Sequence, residues 1–347
     1  MASELPLVSL VVPCRNEHGY IAACLSSLLS NGYPLDRLEI LVVDGQSTDG
    51  SGDAIRALAA AYPCIRLLDN PRRVTPVALN LGVREARGSL VMLIGAHASY
   101  PPGYIRDLVD GLLDSGADVV GGACETCPGS DTAMARAIAT GMGHPFGVGN
   151  AWFRLTSEQP RWVDTVPFGC YRREVFQRIG GFDEDLVRNQ DDEFNLRLMR
   201  QGGRLRLLPN VRSRYFARSS LGQLWRMYFQ YGWYKPMVIR KLRAVMTVRQ
   251  VIPAAFLLCL LVFGVAGFSW PVLWGLLAVI VLAYALTSAA VSVAKAREVG
   301  LGVAVRLMLV FPTLHFSYGS GFLLGLFSQW GRACEHQGAA GAVPLSR

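Results

Sequence analysis

Acidic residues are almost missing from the second half of this chain. Residues 194–347 hold 18 basic side chains and two acids, Glu298 and Glu335, a net of +16; residues 1–193 hold 24 acids and 16 bases, a net of −8. From Arg200 to Arg249 there are 12 basic residues and no acid. Such a run suits nucleic acid or an anionic membrane surface, and the strongly apolar sequence after it selects the membrane over nucleic acid. Lysine is scarce, three in 347 residues, so the positive charge is nearly all arginine, a composition that fits a GC-rich genome. No apolar leader precedes the first strand-like run, so the soluble part is expected on the cytoplasmic side. Cys124 and Cys127 form a CxxC without a second pair, which argues against a zinc ribbon, and the eight cysteines read as reduced structural thiols.

What is abundant is apolar sequence: 51% of residues are hydrophobic and the mean hydropathy is +0.29. Up to about residue 122 the chain alternates strand and helix. Strands are expected at 7–13, 38–44, 65–69, 89–94 and 117–122, with helices at 20–30, 51–62, 75–86 and about 103–114. Thr75 opens the third helix, with Pro76 in its first turn. Continuous apolar strands between helices predict a mostly parallel α/β sheet covered on both faces. Ligands of such sheets bind beyond the carboxyl ends of the strands. Pro13, Asp44 and the triplet Gly95-Ala96-His97 stand there. Residues 125–165 read as a glycine-rich irregular segment carrying "HPFGVGNAWFR", a length that is usually functional or disordered. Two short helices and a closing strand follow.

From Gln250 the character changes. Runs 251–268 and 271–293 are uncharged and about long enough to span a bilayer, joined through Ser269 and Trp270 as a tight hairpin. A third run, 307–327, contains Pro312 and His315 and either spans or re-enters; Gly321 and Gly325 give it a GxxxG packing signal. Basic residues at 240–249 and 295–306 place both ends of the hairpin in the cytoplasm. The expected domains are 1–217 catalytic, 218–249 basic interfacial helices, 250–328 a transmembrane hairpin plus a third membrane-embedded segment, and 329–347 a tail.

Asp44 ends "ILVVDGQSTDGS". A carboxylate there accepts hydrogen bonds from a nucleobase imide or a ribose hydroxyl, or it caps the turn. Arg72 and Arg73 are loop cations that either meet a diphosphate or face water. Arg84, one helical turn after Asn80, serves equally as a surface charge.

"VVPCRNE", "VVDGQSTDGS", "ALNLGVREARG" and "GGFDEDLVRNQDDEFNLRLMRQGGRL" together resemble the family 2 glycosyltransferases of GT-A fold. "GAHASYPPGYI", "HPFGVGNAWFR", "VDTVPFGCYRREVF" and "QYGWY" are similar to the ExoA type of succinoglycan-biosynthesis glucosyltransferase. The resemblance spans about residues 5–330. It implies a Rossmann-like nucleotide-sugar domain with C-terminal transmembrane helices. The implied activity is inverting transfer of a sugar, glucose in that subtype, from a UDP-linked donor. The acceptor would be a lipid-linked or growing saccharide of exopolysaccharide or cell-envelope glycan, with other glycan-assembly enzymes as partners. The implied location is the inner membrane, multi-pass, with the catalytic domain cytoplasmic. A processive synthase and an inactive nucleotide-sugar-binding scaffold are the rival readings.

The family's acidic pair falls on Gln190 and Asp191, with the register set by Arg197 six residues on. Asp191 is therefore the implied base, and Asp192 the alternative after a slip of one. Pro13, Arg15, Glu17, Asp44, Asn80, Ala96 and His97 are implied around the donor. Asp192, Arg197, Gln223, Arg226 and Trp233 are implied on the acceptor or interfacial side. "QLWRM", 223–227, is a degenerate form of the QxxRW of processive synthases and is explained equally by an interfacial amphipathic helix.

In the family, the triplet at 95–97 carries the acids that hold a divalent cation, and in the nearer subtype it reads Asp-Ala-His. Here Gly95 removes the first acid. His97 is left as the side-chain ligand for Mn2+ or Mg2+, as a direct diphosphate contact, or as a structural histidine of the turn. Gly95→Asp is expected to raise metal affinity.

Overall fold

The computed structural model describes residues 5–155, 158–245 and 247–334. The elements in chain order begin with β1 (Val8–Cys14), α1 (Ile21–Leu29), β2 (Leu38–Asp44), α2 (Ser51–Ala61), β3 (Ile65–Asp69), α3 (Thr75–Glu85), β4 (Leu90–Leu93) and β5 (Ala98–Ser99). They continue with α4 (Tyr104–Ser115), β6 (Val119–Cys127), α5 (Ala133–Met142), α6 (Pro145–Val148), β7 (Arg161–Val163), β8 (Cys170–Arg172), α7 (Arg173–Ile179), α8 (Gln190–Arg200) and β9 (Leu205–Phe216). The last four are α9 (Leu221–Leu242), α10 (Ile252–Ala266), α11 (Val272–Val299) and α12 (Leu301–Cys334). The chain divides into unit 1, Met1–Glu125 with Trp152–Tyr215, and unit 2, Thr126–Ala151 with Phe216–Arg347.

Unit 1 is built on a sheet of order β3-β2-β1-β4-β8-β6-β9-β5, with β7 on β9. The first four strands are parallel, as expected from their apolar continuity. From β4 onward the pairings of β8 with β4 and β6, and of β9 with β5 and β7, are antiparallel. Side chains alternate across the sheet with period two. Val8, Leu10 and Val12 of β1, with Ile40 and Val42 of β2, enter one core. Val11, Leu41, Val43 and Val91 enter the other, with Phe176, Phe182 and Phe194. Phe182 stacks on Phe194 at 4.4 Å, which ties the segment after α7 to α8.

Unit 2 is helical. Residues 125–165, expected to be irregular, contain α5, and Thr132 caps it by accepting from Ala135 N at 3.1 Å. The "HPFG" stretch forms α6, whose Phe146 carbonyl accepts from His315 Nε2 at 2.8 Å while His315 Nδ1 meets the Tyr284 hydroxyl at 2.8 Å. The GxxxG of α12 packs on α9. A Cβ at Gly321 would overlap Phe229 O, one at Gly325 would overlap Trp233 O, and one at Gly232 would overlap Tyr318 O. Glycine is thus required for the two backbones to touch.

Among the described residues, two helices are long and apolar enough to cross a membrane, Val272–Val299 and Leu301–Ser328. The first expected span is shorter: α10 has 15 residues, about 22 Å of helix, because Pro253 fixes its start and Gly267 follows its end. The third run, expected to span or re-enter, lies within α12, which is long and apolar enough to cross. It buries Val303, Ala304, Leu307, Val310, Phe311, Leu314 and Phe322, whereas α11 exposes Val279, Leu282 and Leu286.

Candidate active site

Three loops meet at the carboxyl ends of β1, β2 and β3, where Cys14, Asp44 and Asp69 are in register. They are stitched by side-chain to main-chain bonds. Asn16 N donates to Ser47 Oγ at 2.8 Å, Thr48 N to Asn16 Oδ1 at 2.9 Å, and Glu17 N to Ser51 Oγ at 2.9 Å. Arg15 Nη1 donates to the Arg73 carbonyl at 3.2 Å, and Arg73 Nε donates to Gln46 Oε1 at 2.8 Å. Asn16, Gln46 and Arg73 all sit at positive φ, 54°, 57° and 60°. Left-handed non-glycine backbone costs about 1–3 kcal/mol per residue and concentrates at ligand sites.

Asp44 does cap its turn, accepting from Ser47 N at 3.1 Å and Ser47 Oγ at 2.5 Å. A carboxylate offers about four lone-pair positions, so the turn leaves acceptor capacity. Pro13 precedes on β1, half-buried. Cys14 beside it is not a nucleophile. Burial first, then Asp44, Glu17 and Asp49, push its thiol up to about 12. The loop cations are engaged: Arg72 pairs with Glu184 at 2.5 Å and Arg73 with Gln46, while Arg84 is a surface residue.

The 95–97 triplet is a tight turn in which Ala98 N donates to Gly95 O at 3.2 Å. Ala96 is buried at 3% exposure, so only its main chain can meet a ligand. His97 stands between the rings of Tyr215, at 5.2 Å, and Tyr20, at 6.5 Å, with Nδ1 3.3 Å from Glu17 Oε1. The missing acid has a steric counterpart. A Cβ at Gly95 would overlap the Phe168 ring, with Cζ at 2.8 Å, so Gly95→Asp cannot simply restore a ligand.

Asp191 is exposed in the first turn of α8, Asp192 is half-buried, and Glu193 is buried. Acids there suit the helix N-terminus. Asp192 N donates to Asp191 Oδ1 at 3.0 Å. The buried Tyr171 hydroxyl is pushed up by burial and then by the Asp191 charge. Arg197 is engaged within the protein. Its guanidinium donates to both Glu193 oxygens at 2.8 and 2.9 Å, to Gly181 O at 2.7 Å and to Ile179 O, closing the end of α7. Asn80 is likewise engaged with Phe182 and Glu184.

Gln223, Arg226 and Trp233 belong to α9 of unit 2. Gln223 N and Oε1 both engage the Ser220 hydroxyl at 3.3 Å, which caps the helix. Arg226 is exposed, and Trp233 stacks on Phe229 at 6.0 Å. Phe168 is not among the expected site residues, although it lies inside "VDTVPFGCYRREVF". Nor is Arg154, whose guanidinium lies 5.3 Å over the Tyr215 ring; its position inside "HPFGVGNAWFR" is the available signal.

The glycosyl transferase family 2 model matches residues 9–180. The succinoglycan biosynthesis protein ExoA of Rhizobium meliloti is 34% identical over 71% of this chain and 74% of its own length. A dolichyl N-acetyl-alpha-D-glucosaminyl phosphate 3-beta-D-2,3-diacetamido-2,3-dideoxy-beta-D-glucuronosyltransferase of Methanococcus voltae is 28% identical over 75% of this chain and 82% of its own. A mannosyltransferase structure from Pyrobaculum calidifontis, in complex with GDP-Man and Mn2+, shares the fold with a TM-score of 0.57. It is 22% identical and covers 96% of this chain and 89% of that one. The fold is GT-A-like, and the chain is a glycosyltransferase that belongs to glycosyl transferase family 2.

Proposed function

We propose that this enzyme is a membrane-anchored, inverting glycosyltransferase working at the cytoplasmic face of the inner membrane. It moves a hexose, glucose first among the candidates, from a UDP-linked donor to a lipid-linked or growing saccharide in exopolysaccharide or cell-envelope glycan assembly. The observation that carries the reading is the gathering of Arg15, Glu17, Asp44 and His97 at the carboxyl edge of β1, β2 and β4. That edge is where parallel sheets take ligands. Asp44 accepts from the base imide or ribose, while Pro13 and Ala96 let the main chain approach the nucleotide. Asn80 acts from behind by holding the segment that leads to α8.

Asp191 is the base. It takes the proton of the acceptor hydroxyl as that oxygen attacks the anomeric carbon and the nucleoside diphosphate leaves from the opposite face, which inverts the configuration. Asp192 holds Asp191 through its main-chain N–H. A divalent cation, when bound, neutralises the departing diphosphate. Among the described residues no group of three or more His, Cys, Asp or Glu side chains could hold a metal ion. The protein therefore offers no cage, and His97 with diphosphate oxygens and water fits the way such ions bind nucleotides.

Unit 2 supports the anchor. Besides α12, it exposes Leu258, Leu261 and Val265 on α10, Trp270 at 63% in the turn after it, and Trp274 at 43% in the first turn of α11, an apolar surface ending in indoles such as lie at a bilayer boundary. Exposed Trp225, Arg226, Arg240, Lys241 and Arg243 on and beside α9 suit the anionic headgroups and a lipid-borne acceptor. The test incubates membranes bearing the protein with labelled UDP-glucose, UDP-galactose or GDP-mannose, lipid extract, and EDTA or Mn2+. Wild type should label lipid from one donor, and Asp191→Asn should lower the rate by about 10²–10⁴-fold. Equal behaviour of the two would end the catalytic reading.

A further inference from the structure

The carboxylate lost at position 95 has a replacement on a different loop. Phe168 holds the vacated volume firmly. Its backbone is at φ 46°, and its ring stands edge-on to Tyr100 at 5.7 Å. The Tyr100 hydroxyl in turn accepts from Gly95 N at 2.8 Å. No acid fits there without displacing that ring.

Glu17 is fixed from the other side. Its carbonyl accepts from Tyr20 N at 2.9 Å and Ile21 N at 2.8 Å, and its N–H is held by Ser51. This pinned backbone aims the carboxylate at His97. The side chains are 21% and 27% exposed, and the Oε1 to Nδ1 distance is 3.3 Å. Two cis ligands of an octahedral ion are about 3.0 Å apart at Mg2+ bond lengths and about 3.3–3.7 Å at Ca2+ lengths. The 3.3 Å separation, which the two side chains also use to pair with each other, is short enough for both atoms to reach one such cation. Two aromatic rings confine the imidazole, so the pair is pre-set. The donors also match: one imidazole with one carboxylate equals the donor set that Asp-Ala-His would supply.

We propose that Glu17 and His97 Nδ1 together ligate the divalent cation that bridges to the donor diphosphate, Glu17 serving in place of an acid at 95. This rests on the nucleotide-donor reading above. The mixed nitrogen and oxygen set favours Mn2+ over Mg2+, since imidazole is a poor partner for the harder ion.

The test is binding, on the full chain in detergent, of Mn2+ by paramagnetic resonance with and without UDP, and of UDP by calorimetry in EDTA. Glu17→Gln keeps size and hydrogen bonding but not charge. It should weaken Mn2+ about tenfold or more while leaving UDP affinity in EDTA unchanged. His97→Ala should do the same and remove the nitrogen coupling from the Mn2+ signal. Gly95→Asp alone should gain nothing. The triple change Glu17→Gln, Gly95→Asp, Phe168→Ala should regain Mn2+ affinity by returning the acid to the triplet. Glu17→Asp, with its shorter reach, should fall between wild type and Glu17→Gln and guards against a misfolded variant. Unchanged Mn2+ binding in Glu17→Gln overturns the proposal, as does an equal loss of UDP binding in EDTA, which would make Glu17 a nucleotide contact. If wild type binds no UDP at all, the donor reading fails first.

Discussion

Replacing Asn80 with alanine separates two roles for this side chain. Its Nδ2 donates to Phe182 O at 2.9 Å and Glu184 Oε1 at 3.0 Å, and its Oδ1 accepts from Phe182 N at 2.8 Å. Phe182 is 3% exposed, so its main-chain groups would lose their partner without water replacing it. Leaving a buried polar group unsatisfied costs about 1–3 kcal/mol, and the half-exposed bond to Glu184 adds less. A total of about 3 kcal/mol lowers the melting midpoint of a domain of this size by roughly 6–12 °C. Asn80→Asp should be no better. It keeps the acceptor for Phe182 N but turns an oxygen toward the Phe182 carbonyl and the Glu184 carboxylate. The assay is tryptophan fluorescence on heating the detergent-purified protein, beside donor KM and kcat. A side chain that positions the loop before α8 lowers the melting midpoint and kcat together. If alanine raises donor KM and leaves the midpoint within about 1 °C of wild type, Asn80 touches the nucleotide and the argument is wrong.

Arg197→Lys keeps the charge but cannot reach Glu193, Gly181 O and Ile179 O at once. A loss of about 1–3 kcal/mol in urea unfolding is expected, and no loss would mean the fork is dispensable. Gly232→Ala forces a methyl onto Tyr318 O between α9 and α12, and overpacking of about 1–3 kcal/mol should appear as faster proteolysis within unit 2. Cys14 gives a pH signature. Burial and three nearby carboxylates raise its thiol from 9.0 to about 12, so the folded chain keeps a proton that the unfolded chain releases in that window. Stability therefore falls as pH rises from about 9 to 12 and is unaffected below; Cys14→Ala should lessen the fall, and the thiol should resist alkylation at pH 8 until the protein is unfolded.

The parallel half of the sheet was legible because its signals are local. β2 and β3 fall on the expected residues, since an apolar run bounded by polar turns leaves little choice of register. The helix α5 was not read. Its buried face, Ala135, Ala137, Ala139 and Met142 with Ile138, is mostly alanine and so carries little periodic contrast. Thr132, three residues before Ala135, is its local start signal. The antiparallel additions escaped for another reason: β5, β7 and β8 have two or three residues each, too few to show alternation.

Motif positions raise a harder question, because the pattern that marks Asn80 and Arg197 marks Glu17 and His97 just as strongly. All four are polar residues inside the words that carry the family resemblance, and sequence alone assigns them to ligands alike. Partner geometry divides them. Asn80 makes three bonds and Arg197 four, to carbonyls, amides or carboxylates of the same unit, and so their polarity is used in building the frame. Glu17 and His97, 80 positions apart, face each other over 3.3 Å in a half-open setting, with the space at Gly95 closed by a ring 73 positions further on. Their polarity is used on each other and on the opening rather than on the frame, which leaves both side chains within reach of a further group. The glycine that looks like a lost ligand is, on this reasoning, one half of an exchange: Phe168 closes one side of the site, and Glu17 brings the charge in from the other.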